Sequence, residues 1–495
     1  MSRSAFGRLL PLLVGAGCAR ITGAPSPVTD ERVALRHAID SMLSSPETRQ
    51  ARWGVLVVDP DRGDTLYSRD AGKLFVPASN MKIVTAAVAL ETLGPQYRFA
   101  TRILAGGLLR DSVLEGDLLV AGRGDPSVSD HIAGDAMIPL RVIADSLWGR
   151  GIRRVRGRVL AFGDAFPDAH AGFAWSWEDL DAPYGATIDE LLFNEGFAEV
   201  HVRAGHYPGD SVAAWTTPAR TFPRLRIQAT TTARGAGRDS VPQLDAVKDT
   251  LRGEVVLTGT IPSGDSATVA VTFRDPGEAY VSALAEALRD RGIIVADSVM
   301  PASAVASVDT LLTTYSPPFS QLLASFLKPS QNQVGEMLFK SVALQGSDTG
   351  SARVARRIVM ERLRAWGAEP DGFLVWDGSG LSRRDMVSPE TLVRVLGAMR
   401  HSPSFQIYFD AFPIAGVDGT LSARMRGTTA EANVRGKTGT LSNVRSLSGY
   451  VTTAGGGQLV FSVLCNNYTT STDYISRVQD SIAVRLTRLH IGSWR

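Results

Sequence analysis

Pro77-Ala78-Ser79-Asn80-Met81-Lys82, running into Ile83-Val84-Thr85-Ala86-Ala87-Val88-Ala89-Leu90, is the stretch on which the rest of the chain depends. A serine opens an apolar helix pattern, and a lysine follows three residues later. Residues three apart share a helix face, so the Lys82 ammonium reaches the Ser79 hydroxyl. The pattern is apolar on nearly every side, which marks a buried helix, and Gly94-Pro95 ends it. Desolvation lowers the pKa of a lysine, and a serine beside a neutral amine is an activated nucleophile. The plainer reading of the same residues is an N-capping serine and a solvated lysine. Composition favours the first reading: only six of the 52 basic residues are lysine. A chain that prefers arginine so strongly keeps lysine where arginine fails, and only lysine loses its proton near neutral pH.

Working outward, 495 residues imply two to four domains. A hydrophobic content of 44% with 21% charged residues describes a globular protein. The net charge of +2 gives no ground for a nucleic-acid partner. The seven histidines are scattered, and two cysteines supply no zinc or iron–sulfur spacing, so no metal and no cofactor are expected. Arg3 and Arg8 precede the apolar run Leu9-Leu10-Pro11-Leu12-Leu13-Val14, so residues 1–24 read as an export signal. The small residues leading into Cys18 resemble a bacterial lipoprotein box, with Gly15 where leucine is usual. Lipidation of Cys18 and ordinary cleavage near Ala19 or Ala24 are the two outcomes, and both place the mature chain in the periplasm or otherwise outside the cytoplasm. Cys465 sits in a buried strand pattern and reads as an inert core residue. No later stretch is long and apolar enough for a transmembrane helix.

In chain order, Val28–Ser45 has the pattern of an amphipathic helix, and Trp53–Val58 with Thr65–Tyr67 forms a hairpin. The serine helix follows. From 99 to 295 the texture is β-rich, with short runs such as Ala100–Leu104, Asp117–Val120, Val200–Arg203 and Glu254–Leu257. Arg123-Gly124-Asp125 reads as a turn before Pro126 rather than an adhesion motif. Helical periodicity returns at Glu278–Arg291, Phe319–Gln345, Ser351–Trp366 and Ser388–Arg400. A second hairpin, Arg445–Thr452 with Gln458–Asn466, precedes a closing helix at Tyr474–Leu489. The expectation is an α/β (α+β) body made of 25–98 and 296–495, interrupted by a β-rich insertion of two subdomains at 99–295.

Two further motifs lie in the second half of the body. Ser330-Gln331-Asn332 sits between helical patterns, and Lys437-Thr438-Gly439-Thr440 precedes the strand Arg445–Thr452. Ser-x-Asn alone means little, whereas Lys-Thr-Gly is rare in a chain with six lysines. S-x-x-K, a Ser-x-Asn and K-T-G in this order match the motif set of class A β-lactamases and penicillin-binding proteins.

The chain thus resembles the low-molecular-mass, class C penicillin-binding proteins: D-alanyl-D-alanine carboxypeptidases/endopeptidases of the penicillin-binding protein 4 type. The resemblance extends to Phe75–Ser79, Gly122–Pro126, Asp377–Arg383, Ala415–Leu421 and Ser446–Tyr450. It implies a transpeptidase-like domain of the serine β-lactamase type with a large insertion, for which the small class A β-lactamases have no room. Gln331 departs from the more usual Asp.

The resemblance and the residue types together assign roles. Ser79 attacks the carbonyl of a D-Ala-D-Ala bond and Lys82 takes its proton. Ser330 passes a proton toward the leaving amine, and Asn332 holds the substrate amide. Lys437 supplies a fixed positive charge that keeps Lys82 neutral and attracts the terminal carboxylate. Thr438 and Thr440, around Gly439, bind that carboxylate. The resemblance places the oxyanion hole at the backbone N–H groups of Ser79 and Thr440. It also implies that Arg383, with an acidic residue of the insertion (Asp179, near Tyr184), reads the free end of a peptidoglycan stem peptide. Asp377-Gly378-Ser379-Gly380 reads as a flexed loop. The partners implied are stem peptides and β-lactam antibiotics. Two other readings share these motifs: a penicillin-binding or sensor-like protein whose acyl-enzyme stalls, and a β-lactamase.

Overall fold

The computed structural model describes residues 27–218, 224–235, 241–249, 254–296 and 308–491. The expected signal and Cys18 lie outside these residues. Both ends of the described chain build one antiparallel sheet, ordered Arg435–Leu441, Val444–Thr452, Gln458–Asn466, Arg52–Asp59, Asp64–Arg69. Its strands are buried on both faces. Along Gln458–Asn466, Leu459, Phe461, Val463 and Cys465 face one apolar layer, while Val460 and Leu464 face the other. This is the period of two that a pleated strand imposes. The first layer is closed by the terminal helices Pro27–Leu43 and Thr472–Thr487, through Leu35, Ile39, Ile475 and Ile482. Cys465 is buried there, and burial pushes its thiol up, so it is inert as expected.

The second layer holds the helix Met81–Leu93 at its centre, with Phe319–Leu327, Asn332–Ser341, Ala352–Ala365 and Pro389–Met399 around it. Met81 to Leu90 are all buried, which is why the sequence is apolar all round. Gly94, at φ +83°, closes the helix through its N–H to the Leu90 carbonyl. The helical stretch Phe319–Gln345 is interrupted at Lys328–Gln331, between the two helical patterns as expected, and Ser330 takes φ +66° there.

Between these layers' chain segments lies a β-rich excursion. Ala100–Arg110 and Val113–Ala121 pair as a hairpin within a six-stranded sheet, under the helices Met137–Gly149 and Pro276–Asp290. A second apolar cluster lies between the sheet of Phe197–Arg203 and that of Glu254–Pro262. The sequence reading returns the chain to the body at 296. The pairing corrects this: Asp309–Tyr315 lies against Ala100–Arg110, with Tyr315 opposite Ala100. The helix Met137–Gly149 also escaped the sequence reading. Pro139 obscures it, yet a proline in the first turn removes only an N–H that has no intrahelical partner. Gly124 has φ +81°, and the chain bends at Arg123 and turns at 126–127, just after Arg123-Gly124-Asp125.

Candidate active site

Ser79 lies in the 3-10 turn Ala78–Asn80 that leads into the helix Met81–Leu93. That turn is fastened to the edge strand of the body's sheet, Arg435–Leu441, and to its neighbour, Val444–Thr452. Asn80 Nδ2 donates to the Lys437 carbonyl at 2.7 Å, and Ser446 Oγ to the Pro77 carbonyl at 2.7 Å. Lys437-Thr438-Gly439-Thr440 does not merely precede a strand: it is the strand Arg435–Leu441, paired with Val444–Thr452. Gly439 is required where this strand passes the turn. A Cβ there would sit 2.9 Å from Ser79 N and 2.7 Å from the Pro77 carbonyl.

Lys82 is fully buried, and its Nζ has three neighbours. Ser79 Oγ lies at 2.9 Å, Asn332 Oδ1 at 2.5 Å and the Ser379 carbonyl at 2.7 Å. Two of these are acceptors only. A neutral amine has two N–H groups, which those acceptors take, so its lone pair faces the Ser79 hydroxyl. Burial brings the Lys82 pKa down to about 7, while Asp377 and Glu336 pull it the other way.

Lys437 is also fully buried, and its Nζ donates to Ser330 Oγ at 2.8 Å and to the Thr438 carbonyl at 2.9 Å. Burial pushes its pKa well down, and nearby Lys82 adds to the shift. The lowering of Lys82 by burial is as expected, whereas the like-charge effect expected from Lys437 on Lys82 is not among its causes. Burial is what lowers Lys82, and the like-charge effect falls on Lys437, which has no carboxylate among the causes acting on it.

The remaining expected residues converge on one cleft of about 420 Å³, lined by Ser79, Ser330, Asn332, Thr438, Gly439 and Thr440 together with Asp179, Tyr184 and Arg383. Three expected contacts are modified. The acceptor of Asn332 is taken by Lys82, and one of its N–H groups goes to the Tyr184 carbonyl at 2.7 Å, leaving one N–H for a ligand. Thr438 Oγ1 donates to Thr420 Oγ1 at 2.7 Å, and Thr440 Oγ1 accepts from Arg445. Tyr184 Oη donates to Asp179 Oδ1 at 2.9 Å, and Arg383 Nη1 to the Ser442 carbonyl at 3.2 Å. Gln331 turns away from the cleft and bonds Glu195.

The profile of the D-Ala-D-Ala carboxypeptidase 3 (S13) family matches residues 35–489. The chain belongs to that family. It is 34% identical over 494 residues to a D-alanyl-D-alanine carboxypeptidase of Actinomadura sp. (strain R39), covering 97% of this chain and 88% of the relative. Its fold is that of penicillin binding protein 4 (dacB) from Haemophilus influenzae, with a TM-score of 0.76 at 24% identity, covering 91% of this chain and 99% of the other. The same Haemophilus influenzae protein complexed with a novel β-lactam matches with a TM-score of 0.72 at 23% identity, with the same coverage of both chains.

In this S13 carboxypeptidase the sequence reading missed the groups behind Lys82. Asp377-Gly378-Ser379-Gly380 is more than a flexed loop, because its Ser379 carbonyl accepts from the Lys82 amine. Glu336 Oε1 accepts from the N–H groups of Gly378 (3.0 Å) and Ser379 (2.8 Å). Asp377 accepts from Gly380 and Ser382, each at 2.7 Å. Burial, then Asp377, lifts Glu336 to about 8 and Asp385 well above the carboxylate range. Thr420 and Arg445 were missed as well. The one signal was position: Glu336 and Asp377 are carboxylates in otherwise apolar or glycine-rich surroundings.

Proposed function

We propose that this S13 enzyme hydrolyses the terminal D-Ala-D-Ala bond of peptidoglycan stem peptides through an acyl-enzyme on Ser79. The observation that carries the mechanism is the Lys82 amine, buried and bracketed so that its lone pair meets the Ser79 hydroxyl. Ser79 Oγ attacks the penultimate D-Ala carbonyl while Lys82 accepts the proton. The N–H groups of Ser79 and Thr440 stabilise the oxyanion, each by about 3 kcal/mol. As the tetrahedral intermediate collapses, Ser330, held by Lys437, relays a proton to the leaving D-Ala amine. Water then hydrolyses the ester. Lys437, Thr438 and Thr420 receive the terminal carboxylate, whose charge keeps Lys437 protonated. The free N–H of Asn332 holds the substrate's amide carbonyl.

Asp179 and Arg383 take the amine and carboxylate at the end of a diaminopimelate side chain, because charge-assisted bonds are the strong ones. The same reach admits D-Ala-diaminopimelate cross-links, which adds endopeptidase action. Penicillins acylate Ser79. Residues 27–98 and 316–491 form the catalytic body and 99–315 the insertion, in two subdomains. The protein works in the periplasm or otherwise outside the cytoplasm, after export directed by a signal within residues 1–24, which ends either at a lipidated Cys18 or by ordinary cleavage near Ala19 or Ala24. No described helix is long and apolar enough to cross a membrane.

Incubation with a D-Ala-D-Ala pentapeptide and, separately, a labelled penicillin tests this reading. D-Ala release with a long-lived label is expected. A stable label without D-Ala release identifies a binder or sensor, and rapid release of hydrolysed penicillin identifies a β-lactamase.

A further inference from the structure

The insertion touches the catalytic centre at more places than substrate reading requires. Trp175 and Trp177 are two residues apart, yet Trp177 is 78% exposed and Trp175 only 9%. The buried indole has a specific partner: Trp175 Nε1 donates to Asp377 Oδ2 at 2.9 Å. Asp377 uses its other bonds to close the loop 377–382 through Gly380 and Ser382. That loop presents the Ser379 carbonyl to Lys82. Further along the same segment, the Tyr184 carbonyl accepts from Asn332, whose Oδ1 is the other acceptor of the Lys82 amine. Gln333 Nε2 then ties the segment to the same helix, through the Pro183 and Ala186 carbonyls at 3.0 Å each. Both groups that aim the Lys82 lone pair are therefore fixed from residues 175–186, which also carry Asp179.

We propose that Trp175 is a positioning residue for the proton transfer. Its indole N–H holds Asp377, Asp377 holds the loop, and the Ser379 carbonyl holds the amine. This rests on Lys82 acting as the base. A buried carboxylate needs its donors, so an Asp377 deprived of the indole shifts, and the loop it closes no longer aims the Ser379 carbonyl at the amine. The charged groups facing Lys82 are Asp377 from the loop, Glu336 from the helix Asn332–Ser341 and Lys437 from the edge strand. Asp385 lies against Asp377, and Lys340 acts on Glu336. A Ser379 carbonyl drawn off the amine no longer supports its charged form, which favours the neutral amine.

The test uses the full chain carrying Trp175→Phe, which keeps a ring but loses the donor. A second variant, Gly172→Ala, keeps the indole and displaces it, because a Cβ at Gly172 would collide with Trp175 Nε1. Acylation by benzylpenicillin and D-Ala release from a pentapeptide are measured from pH 5 to 9, with melting temperatures. Both variants are expected to lose the same factor on both substrates, roughly 10- to 100-fold for a misaligned base, with the acid limb of the rate profile moved to lower pH. Wild-type rates and an unmoved limb overturn the proposal. So does a loss confined to the peptide, which makes the segment a substrate wall only, or failure of both variants to fold, which makes the contact structural. Lys82→Arg separates this from the reading beneath it. If that variant fails to acylate while Trp175→Phe acylates normally, the positioning role alone is wrong. If Lys82→Arg acylates normally, the base assignment is wrong.

Discussion

The floor of the cleft and its rim differ in how their polar groups are held. On the floor, Lys82 and Lys437 are fully buried, Asn332 nearly so, and each bonds to other parts of the machinery. On the rim, Tyr184 is 51% exposed, Arg383 reaches only a backbone carbonyl, and Asp179 is held by the Tyr184 hydroxyl. Charges interact strongly where water is excluded and weakly where it is not. Floor groups should therefore set the rate for every substrate, and rim groups should alter only the choice among substrates.

The sharpest way to break this contrast is Ser79→Ala. Both covalent penicillin labelling and D-Ala release should vanish while the melting temperature stays near wild type. A penicillin adduct on the alanine variant, seen by intact-protein mass spectrometry, would move the nucleophile elsewhere. Lys82→Arg comes next. It keeps a cation and helix propensity but cannot lose a proton, so acylation should slow by at least ~100-fold. Stopped-flow acylation at near wild-type rate would make Lys82 structural.

The rim should respond differently. Asp179→Ala and Arg383→Ala are expected to lower kcat/KM by about tenfold for a peptide bearing the diaminopimelate end. Their ratio of peptide to benzylpenicillin acylation should fall by the same factor. Equal losses on both substrates would place these residues with the floor. The smallest effect is expected at the boundary. Thr420→Val keeps the side-chain shape but removes the partner of the Thr438 hydroxyl. KM should rise by roughly 2- to 10-fold, the worth of one hydrogen bond, with kcat nearly unchanged. A loss in kcat alone would mean that Thr420 acts on the chemical step.

The same contrast explains what was legible in the sequence. Ser79 with Lys82, Ser330 with Asn332, and Lys437-Thr438-Gly439-Thr440 are short because each has its residues on one turn or strand. Sequence patterning located the two hairpins near the chain ends and the buried helix Met81–Leu93, but not that the hairpins pair into one sheet. Groups that act across long separations were not readable. Trp175 meets Asp377 from 202 positions away, and Thr420 meets Thr438 through a loop with no periodic pattern. The place of Asp309–Tyr315 was not readable either, because it joins a sheet begun about two hundred residues earlier, at Ala100. The burial that lowers Lys82 was legible in the apolar helix, but the opposing pull of Asp377 and Glu336 needed the fold, since both come from distant segments.

The central claim is that burial holds Lys82 as a neutral amine facing Ser79. The pH dependence of the acylation rate constant with benzylpenicillin tests it most directly. Lys82 must be deprotonated to act, and burial brings its pKa to about 7. The rate should therefore rise with pH, about tenfold per unit well below that value, and level off above it. A rate that does not change between pH 5 and 9 would contradict the account.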